Sequence, residues 1–220
     1  HPQAWNRLKP RVGGTKKVDL EKIRSLQPDL IIGNMEENSR ADIEALEQDL
    51  PVWMSDVRNL AGALKMIHAL GGITGTEQQA RDIVDRIVGA FAKLEPIGPA
   101  YNIMYLIWRD PFMAAGKDTF IHDMLRLCGF NNALEGHPDR YPVLTPGELM
   151  TARPDLVLFS SEPFPFRTAD ITEFEMRFPG TRSLLVDGES FSWYGSRLMQ
   201  APSYFEGLIR KARATLKERS

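Results

Sequence analysis

The stretch TEQQARDIVDRIVGAFAKLE, residues 76–95, decides the fold that this sequence predicts. Apolar residues recur at helical spacing from Ala80 to Leu94, so a helix over this range would carry an apolar stripe along its whole length. Thr76 is a suitable N-cap with Gln79 three residues later, and Pro96 ends the pattern. A continuous helix over residues 76–95 would measure about 30 Å, long enough to cross a whole lobe of a protein.

Short apolar runs alternate with helical patterns on both sides of this stretch. Buried strands are predicted at residues 30–32, 51–54, 101–108, 156–159 and 184–186. Such alternation is typical of α/β proteins with parallel sheets. The sequence therefore predicts an α/β fold with two Rossmann-like lobes, residues 1–75 and 96–220, joined by one long connecting helix at 76–95.

An internal echo supports two related lobes. Residues 18–37 resemble residues 144–163 in the same order: helix, Pro-Asp-Leu, strand and a polar turn with a glutamate, Glu36 or Glu162. A general preference for Pro-Asp between helices and strands is the alternative explanation. Because ligands bind at the carboxyl ends of strands in open parallel sheets, the related lobes predict a shared ligand cleft between them.

Composition excludes several classes of protein. Lys and Arg total 27 against 29 Asp and Glu, so the chain has no basic excess for nucleic-acid binding. Its apolar runs fall short of the roughly 20 residues of a membrane helix. The single Cys128 excludes an internal disulfide, and the four histidines lack ligand spacing, so no metal site is predicted. No signal peptide is visible from His1 onward; the chain is either cytosolic or preceded by an export segment.

Catalytic motifs are absent from the sequence. There is no G-x-S-x-G and no H-E-x-x-H, and Gly116-Lys117 lacks the other residues of a phosphate-binding loop. The adjacent Glu36 and Glu37 would point apart rather than form an acid–base pair. We therefore expect neither an enzyme nor a catalytic cofactor.

Aromatic and cationic residues follow the predicted strands at positions where ligands bind. Trp108 and Arg109 end one strand, Tyr141 precedes a capped helix, and Trp193, Tyr194 and Arg197 follow the last strand. Aromatic side chains pack against flat macrocycles, and arginine pairs with carboxylates. These six residues are the predicted ligand site, and their chemistry suits a corrinoid, a porphyrin or an acidic siderophore.

Five stretches together carry a family resemblance: residues 12–14, 18–23, 27–32, 116–125 and 153–158. In order and spacing they resemble the class III periplasmic binding proteins, the helical-backbone group that delivers cobalamin, heme or ferric siderophores to ABC importers. The resemblance implies a monomeric, non-enzymatic solute receptor that captures a metal chelate and passes it to a membrane permease. It also implies a periplasmic protein or an outward-facing lipoprotein.

The resemblance further assigns surface carboxylates to permease docking. Glu36 or Glu37 matches the position on the first lobe, and Glu162 follows from the repeat on the second. Glu173 or Glu175 fits that second position less well, and ordinary solvated acids are the alternative. Family members begin with a further strand–helix unit, so the N-terminal lobe is expected to lack this unit and any signal or lipoprotein segment before it.

Two rival functions remain at this point. One is a two-lobed α/β enzyme, such as a glycosyltransferase-like or nitrogenase-like protein, which would need phosphate-binding glycines or clustered Cys and His. The other is a cytosolic protein of the same fold that binds a corrinoid or metal chelate.

Overall fold

The computed structural model describes residues 7–98 and 101–217, which divide into one compact unit ending at Val57 and another beginning at Arg58. The elements of the first unit are β1 (Gly13–Gly14), β2 (Lys17–Val18), α1 (Leu20–Ser25), β3 (Ile31–Asn34), α2 (Arg40–Leu46) and β4 (Val52–Ser55). β1 and β2 form an antiparallel ribbon. β3 and β4 are parallel, with Ile31 opposite Val52.

The second unit is built on a five-stranded sheet. Its strands are β5 (Asn102–Trp108), β6 (Met113–Ala114), β7 (Asn131–Asn132), β8 (Leu156–Ser160) and β9 (Ser183–Val186). Its helices are α3 (Leu60–Thr74), α4 (Glu77–Phe91), α5 (Phe120–Leu127), α6 (Pro146–Thr151), α7 (Thr168–Arg177), α8 (Gly188–Ser192), a 3₁₀ turn (Ser196–Met199) and α9 (Ala201–Lys217). The order is β6-β5-β8-β9, with β7 also on β5; β6 alone is antiparallel.

Side chains of β5 and β8 alternate between two apolar layers, as the period of a strand requires. Met104, Leu106, Val157 and Phe159 join the cluster beneath α6 and α7. On the other face, the ring of Tyr105 contacts Phe191 of α8 at 4.9 Å between centroids. All five residues of β8 are buried, which explains its continuous apolar sequence.

The predicted helix is shorter than the sequence suggested. Helix α4 ends at Phe91 and not at Glu95, so it measures about 22 Å. Pro96 disfavours helical geometry at the residue before it. The backbone N–H of Ile97 then donates to the carbonyl of Cys128 at 2.7 Å, which carries the chain away from the helix toward the sheet. The Thr76 side chain makes no capping bond, so the predicted capping box is also wrong.

Helix α3 packs along α4 and lies with it in the second compact unit. The sequence had placed residues 58–75 in the first lobe instead. Its division into residues 1–75, 76–95 and 96–220, with a helix joining two lobes, stays a prediction. The α/β prediction itself is confirmed, and the five predicted strands lie within two residues of their predicted bounds, whereas the short strands β1, β2, β6 and β7 were not predicted.

The internal echo extends to backbone detail. α1 and α6 occupy matching positions in the two aligned segments, and each begins after a side chain that caps it, Asp19 or Thr145. Gln27 and Arg153, at equivalent positions before the Pro-Asp pairs, both have positive φ, 47° and 41°. A shared preference for Pro-Asp alone would not produce the matching caps and left-handed residues.

Among the helices of the described residues, none is long and apolar enough to cross a membrane.

Candidate ligand-binding site

The carboxyl ends of β5, β8 and β9 meet at one edge of the second unit's sheet, because these strands are parallel. Trp108 ends β5, the chain after β8 carries Glu162, and Trp193 follows α8, which begins directly after β9. This is the edge at which open α/β sheets bind ligands. The structure thus places Trp108 and Trp193 beside this edge of the sheet.

Glu162 and Trp193 are joined by a hydrogen bond. The indole Nε1 of Trp193 donates to Oε1 of Glu162 at 2.8 Å, and the hydroxyl of Ser192 donates to the same oxygen at 2.6 Å. Trp193 is 38% exposed. Since a carboxylate already accepts its polar hydrogen, the indole can offer its apolar ring to a ligand.

The turn that carries Glu162 is itself anchored from below. The buried hydroxyl of Tyr105 donates to Ser160 Oγ at 3.1 Å, and Ser160 Oγ donates to the carbonyl of Glu162 at 2.6 Å. Burial raises the pKa of Tyr105, so this phenol keeps its proton. A Cβ on Gly188 would lie 2.5 Å from Glu162 Cγ, so this glycine permits the close approach.

The other predicted aromatic residues each pack against a different side chain. Trp108, 41% exposed, packs edge-on against Phe164 with 5.6 Å between ring centroids. Tyr194 contacts Phe120 at 5.4 Å. The guanidinium of Arg140 lies 5.7 Å from the Tyr141 ring centre.

Both predicted arginines are engaged by carboxylates of their own unit. Arg109 donates to Asp170, and its Nη2 lies 2.7 Å from each Glu173 oxygen. The hydrogen bonds that Arg109 donates to Glu173 and then to Asp170 raise the pKa of its guanidinium. Arg197 lies 3.0 Å from Glu189 and 3.4 Å from Asp187. Any anionic ligand would therefore share these cations with protein carboxylates.

The first unit presents Glu36 and Glu37 on a similar turn. Asn34, the last residue of β3, accepts hydrogen bonds through Oδ1 from the backbone of Glu36 at 2.9 Å and Glu37 at 3.3 Å. Ser160 has the equivalent position in the second unit, where its Oγ accepts from the backbone of Glu162 at 3.3 Å. The repeat therefore reproduces the support of its glutamate as well as its sequence position.

A cavity of about 300 Å³ lies at the amino ends of β8 and β9, away from this edge. Its lining includes Met104, Leu149, Arg153, Phe174 and Arg177. None of the six predicted ligand residues lines it. In the part of the chain that the structure describes, no three His, Cys, Asp or Glu side chains are grouped to hold a metal ion.

Sequence reasoning missed the residues that support the site: Tyr105, Ser160, Phe164, Gly188 and Ser192. The run Ser161-Glu162-Pro163-Phe164-Pro165-Phe166 was an available signal, because alternating prolines and aromatics after a strand mark a rigid loop. The sequence predicted no helix between the last strand and Trp193, where residues 188–192 form helix α8.

Known proteins share this fold. The vitamin B12-binding protein of Vibrio vulnificus (strain CMCP6) is 26% identical over 165 residues, which are 73% of this chain and 60% of that protein. The chain thus spans about three fifths of the length of that curated relative. The structure of the periplasmic heme-binding protein BhuT with two hemes matches with a TM-score of 0.81 and 23% identity, over 98% of this chain and 86% of BhuT.

The periplasmic vitamin B12-binding protein BtuF of Vibrio cholerae matches with a TM-score of 0.72 and 16% identity, over 96% of this chain and 86% of that one. At such identities the two structures establish the fold. The model of the periplasmic binding protein family matches residues 2–179, most of the chain. This chain therefore belongs to the periplasmic binding protein family.

Proposed function

We propose that this protein is the solute receptor of an ABC importer for a metal chelate: a corrinoid such as cobalamin, heme or a ferric siderophore. The observation that carries the proposal is the half-exposed pair Trp108 and Trp193 at the carboxyl edge of the sheet, in a chain of the periplasmic binding protein family. Proteins of this family are binding proteins, so family membership favours a receptor over the enzyme alternative.

The aromatic residues suit a flat ligand. Trp108, Trp193, Tyr141 and Tyr194 offer ring faces and edges, and a macrocycle or aromatic chelate would pack against them. The relatives named for vitamin B12 and for heme support ligands of this kind. Arg109 and Arg197 are proposed to meet carboxylate groups of the ligand with donors left over from their internal ion pairs.

The proposed partner is a membrane permease that docks on Glu36 or Glu37 of one unit and on Glu162 of the other. Their equivalent turns, each supported by the last residue of a strand, favour equivalent roles. The family name supports a periplasmic location, so a monomeric protein, free or lipid-anchored outside the cytosol, is part of the proposal. A cytosolic protein of the same fold is its alternative.

The test is a titration of the protein, as its gene encodes it, with cyanocobalamin, hemin and a ferric hydroxamate. Binding is monitored by tryptophan fluorescence and by absorption. One ligand class should bind, and Trp193→Ala should weaken that binding by roughly 1–3 kcal/mol, the range for losing a large apolar contact. Folding should change little, because Trp193 is half-exposed.

Met150→Ala is the matched control, since Met150 is 69% exposed and lines the distant cavity. Its affinity should equal that of the wild type. Binding of none of the ligands, together with turnover of a nucleotide-sugar, would reject the receptor and favour the enzyme.

A further inference from the structure

Two donors converge on one oxygen of Glu162. The indole N–H of Trp193 and the hydroxyl of Ser192 both donate to Oε1, at 2.8 and 2.6 Å. Hydrogen bonds to an ionised carboxylate are about twice as strong as bonds between neutral groups. Trp193 is therefore held by a strong bond at its polar edge while 38% of its surface stays exposed.

The carboxylate is fixed as firmly as the indole. Ser160 Oγ donates a hydrogen bond to the carbonyl of Glu162 and accepts one from its backbone N–H. The buried hydroxyl of Tyr105 in turn donates to Ser160 Oγ. On the other side, Gly188 leaves no room for a Cβ between its backbone and Glu162 Cγ. The hydroxyl of Ser161 accepts the Gly188 N–H at 2.9 Å and ties the same turn to α8. A chain of contacts thus runs from the centre of the sheet to the ring of Trp193.

We infer that Glu162 is a positioning residue for ligand binding: its carboxylate holds the indole of Trp193 in one orientation before the ligand arrives. A pre-oriented ring loses less freedom on binding than a mobile one, so affinity rises without a direct contact from Glu162 to the ligand. This inference rests on the proposed function, and it gives Glu162 a role different from permease docking. Docking requires its negative charge, whereas positioning requires an oxygen at Oε1.

Glutamine separates the two roles. Because both donors use Oε1, the amide oxygen of Glu162→Gln can accept both hydrogen bonds without a charge. Glu162→Ala removes the acceptor. Met150→Ala is the control, since Met150 is 69% exposed and lines the cavity at the amino ends of β8 and β9.

The experiment measures two properties in the full-length protein. The first is hydrogen exchange of the Trp193 indole N–H by NMR, with the signal assigned through Trp193→Phe. The second is the affinity for cyanocobalamin, hemin and a ferric hydroxamate. Glu162→Ala should speed indole exchange and weaken binding, each by roughly 10-fold, as for a lost hydrogen bond to a charged group. Glu162→Gln should stay within about 3-fold of the wild type, as for a weakened neutral bond, and Met150→Ala should match the wild type in both measurements.

The outcomes separate this inference from the function beneath it. Unchanged indole exchange in Glu162→Ala overturns the positioning role, and so does a Glu162→Gln variant that behaves like Glu162→Ala in both measurements. Circular dichroism of each variant checks that the fold persists. If the wild type binds none of the ligands, the proposed function fails, while the indole exchange still decides whether Glu162 holds Trp193.

Discussion

Trp193 and Arg109 differ in how their side chains are engaged by the protein. Both were predicted as ligand contacts from their place after a strand. Trp193 keeps an exposed ring because its one polar atom is bonded to Glu162. Arg109 is drawn into an ion-pair cluster with Asp170 and Glu173. At this edge the ring of Trp193 is therefore exposed, whereas the charged group of Arg109 is paired with carboxylates.

Gly188 gives a prediction at the residue scale. In Gly188→Ala the new Cβ would lie 2.5 Å from Glu162 Cγ and from Ser160 Oγ. We therefore expect the Glu162 turn to shift and the hydrogen bond from the Trp193 indole to the Glu162 carboxylate to weaken. We expect a melting temperature several degrees lower, typical of roughly 1–3 kcal/mol of overpacking, together with faster indole exchange. Gly195→Ala is the control, since its Cβ would meet nothing within 4 Å. Equal melting temperatures for the two variants would contradict the close approach.

The sequence could place the exposed aromatics but not the partners of the arginines. Strand ends are visible in the pattern, and Trp108 and Trp193 stand beside them. Asp170 and Glu173 lie more than sixty positions from Arg109, in a helix that the pattern did not predict. Ion pairs across such separations depend on tertiary packing, which apolar periodicity does not encode.

At the scale of elements, local capping patterns were right at α6 and wrong at α4, where Thr76 makes no capping bond. The capped helix predicted after Tyr141 begins with a capping box of Thr145 and Glu148, whose partners lie within one turn. Strands β5 and β8 were visible as apolar runs because both of their faces are buried. Helix α7 was missed because Phe174 is its one buried residue. The end of α4 was misplaced because the bond from Ile97 to Cys128 joins distant segments.

Helix capping gives a prediction with a pH dependence. The Thr145 backbone N–H and then its hydroxyl lower the pKa of Glu148, so the box stabilises the fold above the ordinary carboxyl pKa and loses this effect as pH falls through the folded pKa. Thr145→Ala should cost about 1 kcal/mol at neutral pH, and less in acid. Thr76→Ala should cost much less, because Thr76 makes no capping bond. Urea unfolding at pH 7 and pH 4 measures the loss of unfolding free energy in each variant. Equal losses for Thr145→Ala and Thr76→Ala at pH 7 would contradict the capping box.

The molecule as a whole distributes its core unevenly. Before Arg58, the buried apolar side chains of the described residues are Ile23, Ile43, Leu46 and Val57. The remaining buried apolar side chains surround the five-stranded sheet and helices of the second unit. A two-stranded parallel pair with so small a core is marginal alone, whereas a larger sheet covered on both faces is not. Stability should therefore reside mainly in the second unit.

Cys128 reports on that unit alone. It is fully buried, and burial raises the pKa of its thiol, so neither access nor ionisation favours its reaction in the folded state. A fragment of residues 58–220 should fold by itself, unfold cooperatively in urea, and protect Cys128 from a thiol reagent as the 220-residue chain does. A fragment of residues 1–57 should show no cooperative transition. Rapid labelling of Cys128 in the larger fragment in native buffer would contradict this expectation. If joining residues 1–57 to the fragment restored protection, the first unit would be required for the core around the sheet.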